Sequence, residues 1–419
     1  MQSLKNLIPA LFILIIPALP GSIFAVSFYG EAETLFDFMF PGDTGSDRYD
    51  SLLNPHNISG LNDIATAAGV IVKLENQGEK GSFAMWLSLR TEPDSISSDE
   101  VKTDIMRLSY DWQLTDAIRI TTGRQSFLTG YGYGWNPMDL ANPIKDPSNP
   151  DQELKGVDAV SFTWDRGGIF QARGYTLLQT SEAGSLAYEE AKAGAELTFL
   201  LPPAELKITA LTGSAPDTGR IESLPRSIGI GFLMDIAGAG VYAEGAFRER
   251  RRTGVPGASG DYALKADDDP AFSALAGIEY YFRSELALIA EYFYNGEGLG
   301  RGERSDYKDA LEYFNSTSTG YAPEEYYELY RPGYFARHYL LLNLTLPLYD
   351  LESEASLTVI ESPDSRMISA TPRWKILPSG SFEIEISYSG LFSLDDGQYN
   401  EAWLSPVKHS ASIVTKWYF

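Results

Sequence analysis

Turn residues divide the chain into about eighteen segments of roughly ten residues, and within each segment apolar and polar residues alternate. A period of two places successive side chains on opposite faces of a β-strand. From the second segment onward, short connections such as Thr115-Asp116 and Arg166-Gly167 take turns with long ones such as Arg251–Ala271 and Asn295–Gly333. Tight turns at one end and long loops at the other are typical of transmembrane barrels, whereas a soluble sandwich has no reason to sort its loops. The pattern predicts an all-β chain forming a closed antiparallel transmembrane β-barrel of about 18 strands, with 16 as the alternative.

The last segment, His409–Phe419, shows how such a sheet would end. Its apolar face carries Ala411, Ile413, Thr415, Trp417 and Phe419. An exposed edge with this face would invite aggregation, but in a closed barrel the last strand pairs with the first. The segment also resembles the C-terminal strand of Gram-negative outer-membrane barrels, which typically ends in Phe. That resemblance implies that Trp417 and Phe419 form the assembly signal for the barrel-assembly machinery; the alternative is the last strand of a soluble β-sandwich.

The leader and the composition indicate where the chain functions. Residues 1–25 have the pattern of a cleaved secretory signal peptide, with Lys5, an apolar run from Leu7 to Leu19 and small residues up to Ala25. Residues 26–419 show no break in composition and are predicted to form one domain in the cell outer membrane, in contact with its lipid and lipopolysaccharide. The sequence contains no Cys, which excludes disulfides and thiolate catalysis, and its formal net charge of -24 argues against nucleic acid as a partner.

Strand parity predicts which side chains face lipid and which face a water-filled lumen. The lipid face of the fourth strand is predicted to carry Met106, Leu108, Tyr110, Trp112 and Leu114. The opposite faces give two charged groups that would line the pore. The basic group is Arg90, Arg107, Arg119 and Arg173, and the acidic group is Glu244, Glu279 and Glu291. These groups either face each other across the lumen and create a transverse field, or pair locally with neighbours such as Asp111, Lys192 and Glu196. A one-residue bulge would reverse the parity of a strand.

The most distinctive stretch joins the fifth and sixth strands, at residues 126–155. It contains glycines at 130, 132 and 134, which allow turns that other residues resist, followed by Trp135-Asn136-Pro137. With its flanks it resembles the GRQ…G-x-G…NP-x-D…P…G-x-D-A element of large porin-type and alginate-export-like barrels. In such proteins the loop often folds into the lumen and narrows it. The resemblance implies a constriction lined by Arg124, Tyr131, Tyr133, Trp135 and Asp139; the alternative is an extracellular loop packed on the rim.

The histidines and the remaining loop motifs do not indicate a catalytic or metal site. The three histidines, His56, His338 and His409, are scattered and lack the neighbours of a Ser-His pair or a zinc site, so we expect no enzymatic activity, cofactor or metal. The basic run Arg248–Arg252 indicates a solvated strand end, the alternative being a site for surface polysaccharide or lipid phosphates. Tyr321–Tyr334 indicates a short helix within the longest loop.

The favoured hypothesis is a passive outer-membrane channel for small hydrophilic solutes, anionic ones among them. The alternatives are a dedicated transporter of one substrate (a polysaccharide or a hydrophobic molecule) and a surface adhesin that binds through the long acidic loops. The sequence sets no expectation for the oligomeric state.

Overall fold

The structure is a computed structural model that describes residues 26–41, 51–57, 59, 61, 63–78, 80–91, 101–127, 129–180, 186–213, 225–252, 254–257, 262–265, 267, 269–317, 320–395 and 400–419. The predicted signal peptide, residues 1–25, lies outside this part of the chain. The described residues form a closed, antiparallel 18-stranded β-barrel, as the alternating pattern predicts.

The strands run up and down around the barrel, each paired with its sequence neighbours, except that a small separate hairpin interrupts the order. In chain order they are β1 (Val26–Pro41), β2 (Ile64–Gln77), β3 (Gly81–Thr91), β4 (Val101–Thr115), β5 (Ile118–Gln125), β6 (Val157–Asp165), β7 (Phe170–Thr180), β8 (Leu186–Leu201), β9 (Ala204–Gly213), β10 (Ser227–Ile236), β11 (Ala239–Arg248), the hairpin strands β12 (Val255–Pro256) and β13 (Leu264–Lys265), β14 (Ala271–Tyr281), β15 (Ala287–Tyr294), β16 (His338–Leu348), β17 (Ser353–Ser362), β18 (Met367–Ser379), β19 (Phe382–Ser393) and β20 (Val407–Tyr418). Short turns lie at one end of the barrel, the turn end, and the longer connections lie at the other, the loop end.

The first and last strands close the barrel, which confirms the expectation drawn from the last segment. β1 pairs with β20 through registers such as Thr34 with Thr415. At the turn end Gly30 N donates to Phe419 O at 2.9 Å and Phe419 N donates to Gly30 O at 3.0 Å. Closure leaves no open edge along this seam, so the backbone groups of both strands have partners.

The outer face is apolar and the inner face is polar or small. Trp417 and Phe419 are 55% and 39% exposed on the outside, and Ile228 and Ile230 of β10 are both 53% exposed. On the inner face, by contrast, β5 carries the buried Thr121 and Gln125. The alternation of period two therefore separates the two faces as predicted.

β4 contains a bulge that changes the predicted outer face at one position. Trp86 pairs with Arg107 and the next residue, Leu87, pairs with Ile105, so Met106 is the extra residue. Leu108, Trp112 and Leu114 are exposed on the outside as predicted, but beyond the bulge Ile105 takes that face and Met106 does not.

Among the described residues, three α-helices lie in the loop-end connections. They are α1 (Arg301–Ser316), α2 (Glu324–Leu329) and α3 (Glu401–Leu404). α1 begins with Glu303 Oε2 accepting from Gly300 N at 2.5 Å, and it buries one stripe of side chains, including Arg304, Tyr307 and Leu311. Across the described residues, no helix is long and apolar enough to cross a bilayer.

The helices pack with parts of four loops into a small apolar cluster, the loop cap. Its buried members are Leu299, Tyr307, Ala310, Leu311, Ala322, Tyr326, Leu329, Phe335 and Leu404. Hydrogen bonds connect the loops: Asn315 Nδ2 donates to Leu52 O at 3.1 Å, and Tyr326 OH donates to Tyr262 O at 2.6 Å. The loop end is therefore a structured surface in the part of the chain described.

Candidate functional site

The β5–β6 connection, residues 126–156, lies inside the barrel and is called the inner loop below. Its Thr129 Oγ1 donates to Glu196 Oε2 of β8 at 2.9 Å, and Tyr131 OH donates to Glu205 Oε1 of β9 at 2.8 Å. Farther along, Trp135 packs on Phe293 of β15 with ring centroids 5.2 Å apart. The inner loop thus lies along the inward faces of β7–β11 and β14–β16, which we call the covered wall.

Two inward-facing glutamates of the covered wall hold the inner loop through its backbone. Glu244 accepts hydrogen bonds from the amides of Tyr131, Gly132 at 2.9 Å and Met138 at 3.3 Å. Glu291 accepts from the amide of Gly134 at 2.9 Å, as well as from the amide of Tyr133 and from Tyr242 OH. The two residues are 4% and 3% exposed, so these N–H groups replace the water that a buried carboxylate needs.

The glycines of the Gly130–Gly134 run allow this close approach. Gly130 adopts φ 98°, which L side chains rarely occupy. A Cβ on Gly132 would lie 1.9 Å from Trp135 O, and a Cβ on Gly134 would lie 2.6 Å from Leu341 Cδ1. Glycine is required here because the backbone, and not a side chain, contacts the wall.

Trp135 anchors the inner loop. It is predicted to line the lumen, and this prediction is wrong. Its side chain is 0% exposed and packs between Phe293 and Tyr339, and its indole Nε1 donates to Gly333 O at 3.0 Å. The burial of its whole ring explains the correction, since a large aromatic side chain gains most from complete removal from water.

Asp139 shapes a turn of the inner loop. Its carboxylate accepts from the amides of Ala141 at 3.3 Å and Asn142 at 3.1 Å, and from Asn142 Nδ2 at 2.8 Å. Burial raises the pKa of Asp139 to about 6 even though these donors oppose the shift. The predicted lining residue therefore serves the conformation of the loop itself.

Arg124 lies on the outer face of the wall and not in the lumen, which corrects its predicted placement. It pairs with Asp158 in the β5–β6 register, on the same face as Thr122 and the exposed Val160. Its guanidinium binds the Asp158 carboxylate through two hydrogen bonds, Nε at 3.0 Å and Nη2 at 2.6 Å. Parity along β5 explains the outcome, because Arg124 directly precedes the inward-facing Gln125.

Tyr131 and Tyr133, which are predicted to line the constriction, are half-buried at the surface of the inner loop. The Lys207 ammonium lies 4.8 Å from the centre of the Tyr131 ring, and the Lys145 ammonium lies 5.7 Å from that of Tyr133. Burial, and then the negative charge of Asp151, raise the pKa of the Tyr133 phenol to about 12. Both rings are thus held beside cations at the inner-loop surface.

The inward faces of β1–β5 and β17–β20 form the opposite wall, which carries Arg107 and Arg119. The Arg107 guanidinium lies 5.4 Å from the Trp86 ring and donates to Ser109 Oγ at 3.3 Å. Within the described residues, no carboxylate lies within the 4.0 Å ion-pair distance of Arg107 or Arg119. β4 and β15 are nine places apart in the ring of 18 strands, so Arg107 projects from the side opposite Glu291.

The remaining predicted pore charges pair locally or lie at the turn end. Arg90 contacts Glu33 at 3.2 Å, and Arg173 contacts Glu196 at 3.8 Å. Glu279, near the turn end of β14, accepts from Tyr281 OH at 2.6 Å. Arg90 and Arg173 therefore pair locally, as the second hypothesis expects, whereas Arg107 and Arg119 have no carboxylate within ion-pair distance in the described chain.

Several lumen groups lay outside the sequence prediction. Lys73 of β2 contacts Glu153 of the inner loop at 2.6 Å, and its ammonium lies 4.3 Å from the Trp86 ring. Trp86 Nε1 donates to Glu75 Oε1 at 2.9 Å. The alternation along β2 and β3 places these side chains inward, so the strand pattern alone could have identified them. Their partner from the inner loop, Glu153, has no such local signal.

The basic run at the end of β11 is a buried ion-pair network and not the solvated strand end expected. Glu297 contacts Arg252 at 2.6 Å and Arg248 at 3.5 Å, and the Arg248 side chain is 3% exposed. Burial alone would raise the pKa of Glu297, but Arg252 and Arg248 outweigh it and lower that pKa to about 2. The correction arises because the β15–β16 connection folds back over the strand end.

Comparisons with known proteins give relatives in structure and none in sequence. No protein-family model matches the chain, and no curated protein matches it. Among solved structures it is similar to Wzi, an outer-membrane protein involved in group 1 capsule assembly in Escherichia coli and described as a carbohydrate-binding β-barrel. The TM-score is 0.53 at 12% identity, over 93% of this chain and 83% of Wzi.

It is also similar to Salmonella typhi OmpF in complex with daunomycin, with a TM-score of 0.50 at 11% identity, over 94% of this chain and 97% of that one. A triple mutant of the Rhodopseudomonas blastica porin matches with a TM-score of 0.47 at 10% identity, over 94% and 100% of the two chains. At these identities the similarity is one of fold, and the fold is the closed β-barrel of porins and of Wzi.

Proposed function

We propose that the protein is an outer-membrane channel through which small hydrophilic solutes, anions among them, diffuse passively. An apolar outer face on a barrel without a free edge fits a lipid environment, where every backbone group must be paired within the protein. The porins and Wzi, with which the chain shares its fold, are outer-membrane proteins, and this supports the same location.

The observation that carries the proposal is the position of the inner loop. Glu244 and Glu291 fix residues 131–138 to one side of the lumen. Glu153 of the same loop contacts Lys73 of β2 on the opposite wall, so the loop narrows the lumen. Tyr133 is half-buried on the loop, and Arg107 projects inward from β4 on the opposite wall. Arg107 and Arg119 lack a carboxylate within ion-pair distance in the described chain and would attract anions.

Binding of a saccharide is the second candidate function, and one observation favours it. The rings of Tyr131, Tyr133 and Trp86 lie at the inner loop or the opposite wall, each beside a cation, so apolar faces and charged hydrogen-bond donors are close together. Wzi, which shares the fold, is described as carbohydrate-binding. A dedicated transporter would use the same groups to retain one substrate.

Recordings from the purified protein in planar lipid bilayers test the proposal. Reproducible open-channel steps in KCl support diffusion through the lumen, and concentration-dependent block by one saccharide would assign dedicated transport. Electrical silence of correctly folded protein would exclude the channel and favour a binding or adhesive barrel.

A further inference from the structure

Glu401, in the connection between β19 and β20, is a buried acid that the proposed channel does not use directly. It lies on α3 in the loop cap and is 1% exposed. Its carboxylate accepts from Tyr339 OH at 2.6 Å and from Gly333 N at 2.9 Å. Both donors lie within residues 333–339, so Glu401 joins two segments that are distant in the sequence.

Gly333 is the point at which these segments meet. Its N–H donates to Glu401, while its carbonyl accepts from Trp135 Nε1 at 3.0 Å. It adopts φ 76°, and a Cβ there would lie 2.4 Å from Pro147 Cγ of the inner loop. One glycine therefore has the loop cap on one side and the inner loop on the other, and a larger residue would separate them.

A second route leads from Glu401 to the same anchor. The hydroxyl of Tyr339 that binds Glu401 belongs to a ring that packs 5.7 Å from the ring of Trp135. That hydroxyl also accepts from Ala336 N at 2.6 Å, which fixes its orientation. Trp135 directly follows the amides of Tyr133 and Gly134, which bind Glu291.

We infer that Glu401 is a positioning residue for the inner loop: through Gly333 and Tyr339 it holds Trp135, and hence the amides of residues 131–134, against the covered wall. Its removal leaves the Gly333 N–H and the Tyr339 hydroxyl without an acceptor in a buried site. The inner loop then loses the support of its anchor although no residue in the lumen has changed. The effect on solute flow rests on the proposed function, but the effect on loop position does not.

Hydrogen–deuterium exchange of the folded protein in detergent tests the inference. In Glu401→Ala, the amides of residues 131–134 should exchange about tenfold faster or more, because local opening becomes easier. Glu401→Gln keeps an oxygen that can accept from Gly333 N and should exchange close to the wild-type rate. Glu328→Ala is the matched control, since Glu328 is an exposed acid on α2 of the same cap and should leave these amides unchanged.

Faster exchange confined to the cap peptides, with residues 131–134 unchanged in Glu401→Ala, would overturn the inference. If Glu401→Ala does not fold, Trp135→Phe provides the second variant: it keeps an aromatic ring and removes the bond to Gly333 O, and it should accelerate the same amides. Bilayer recordings separate the two proposals. A silent wild type excludes the channel and leaves the exchange result standing, whereas a conducting wild type with unchanged exchange in the variants excludes only the role of Glu401.

Discussion

The covered wall and the opposite wall of the lumen are built by the same strand alternation, but two glutamates of the covered wall, Glu244 and Glu291, have partners of a different kind from Glu385 and Glu33 of the opposite wall. On the covered wall, Glu244 and Glu291 bind backbone amides of the inner loop. On the opposite wall, Glu385 contacts Arg373 at 3.0 Å and Glu33 contacts Arg90 at 3.2 Å. Neutral N–H donors hold a segment of chain in place, whereas cation partners neutralise charge between neighbouring strands.

The difference shows that a charged side chain that faces inward does not necessarily contribute to the electrostatic field in the lumen. Glu244 and Glu291 face inward as predicted, yet they lie beneath the inner loop and bind its backbone. Arg107 and Arg119 project from the other side, and no carboxylate of the described chain lies within ion-pair distance of them. Glu244 and Glu291 are therefore structural, and Arg107 and Arg119 are the charged groups of the opposite wall that we propose to act on solutes.

The largest effect is expected from removing both anchors of the covered wall. Glu244→Ala combined with Glu291→Ala deprives five loop amides of their acceptors, and a hydrogen bond to a charged group contributes about 1.5–3 kcal/mol. We expect the inner loop to leave the wall, with a larger and noisier single-channel conductance and fast exchange of amides 131–134.

Glu279→Ala is the control for the double variant, because it removes an inward acid of the same type that bonds to Tyr281 and not to the inner loop. Conductance and exchange should stay at the wild-type level in this control. If Glu279→Ala and the double variant behave alike, the distinction between anchoring and free acids fails.

Two buried glutamates of the loop end, Glu401 and Glu297, differ in the same way: the first has neutral hydrogen-bond donors and the second has arginine partners. The pH dependence of stability should therefore differ between them. Burial raises the pKa of Glu401 to about 7 despite its neutral donors, whereas Arg252 and Arg248 hold the pKa of Glu297 near 2. Around Glu401, Asp364 raises the pKa further, Tyr339 and Arg304 lower it, and Tyr330 OH contacts its backbone carbonyl at 3.4 Å.

Because the folded pKa of Glu401 lies above its ordinary value of 4.5, the folded state holds the proton more tightly than the unfolded state. The contribution to stability is present at low pH and is lost as the pH rises from about 4.5 to about 7, by roughly 3 kcal/mol in total. Denaturant unfolding of the wild type and of Glu401→Gln at several pH values measures this as a difference. The difference should change through that window and stay flat above it, and a difference that is constant from pH 4 to 8 would contradict the assignment.

The backbone contact of the covered wall predicts a smaller effect at Gly132. In Gly132→Ala the new Cβ would meet Trp135 O at 1.9 Å, which forces the loop away from Glu244 at a cost of about 1–3 kcal/mol. Gly174→Ala, on β7, is the matched control because no atom lies within 4 Å of its added Cβ. Hydrogen–deuterium exchange of residues 129–138 should be faster in Gly132→Ala than in Gly174→Ala. Equal exchange rates in both variants would mean that the loop accommodates the methyl group.

The strand count, the closure of the barrel and the inward rows follow from the sequence because a period of two is a local property. The bulge at Met106 interrupts the period, and only the pairing of β3 with β4 reveals it. α2 lies within Tyr321–Tyr334, where the sequence predicts a short helix. α1 also has a local signal, since Arg304, Tyr307 and Leu311 recur at helical spacing, but it lies outside the predicted helix.

The partners of the inner loop had no such signal. Glu244 and Glu291 lie more than a hundred residues from the amides they bind, and Trp135 reaches Gly333 over a similar separation. The resemblance to loops of other barrels suggested that this segment enters the lumen, but a resemblance of short motifs assigns no side-chain direction. The motif therefore predicts that Trp135 and Arg124 line the lumen, whereas Trp135 is buried against the covered wall and Arg124 lies on the outer face.

The smallest expected effect concerns the unpaired cations of the opposite wall. Replacing Arg107 and Arg119 together with Ser removes two charges from the lumen without breaking an ion pair in the described chain. Under a KCl gradient, the permeability ratio of chloride to potassium should fall by about twofold or more. Positively charged groups beside a narrow passage raise the local anion concentration, and the double variant removes two of them.

Arg124→Ser is the control for this selectivity, since it removes a cation that is paired with Asp158 on the outer face. Its reversal potential should match that of the wild type. A shift in Arg124→Ser equal to that of the double variant would mean that net charge, and not position on the opposite wall, sets selectivity. An unchanged reversal potential in the double variant would count against a role of Arg107 and Arg119 in selectivity and would direct the next variant to Lys145, which lies beside Tyr133 on the inner loop.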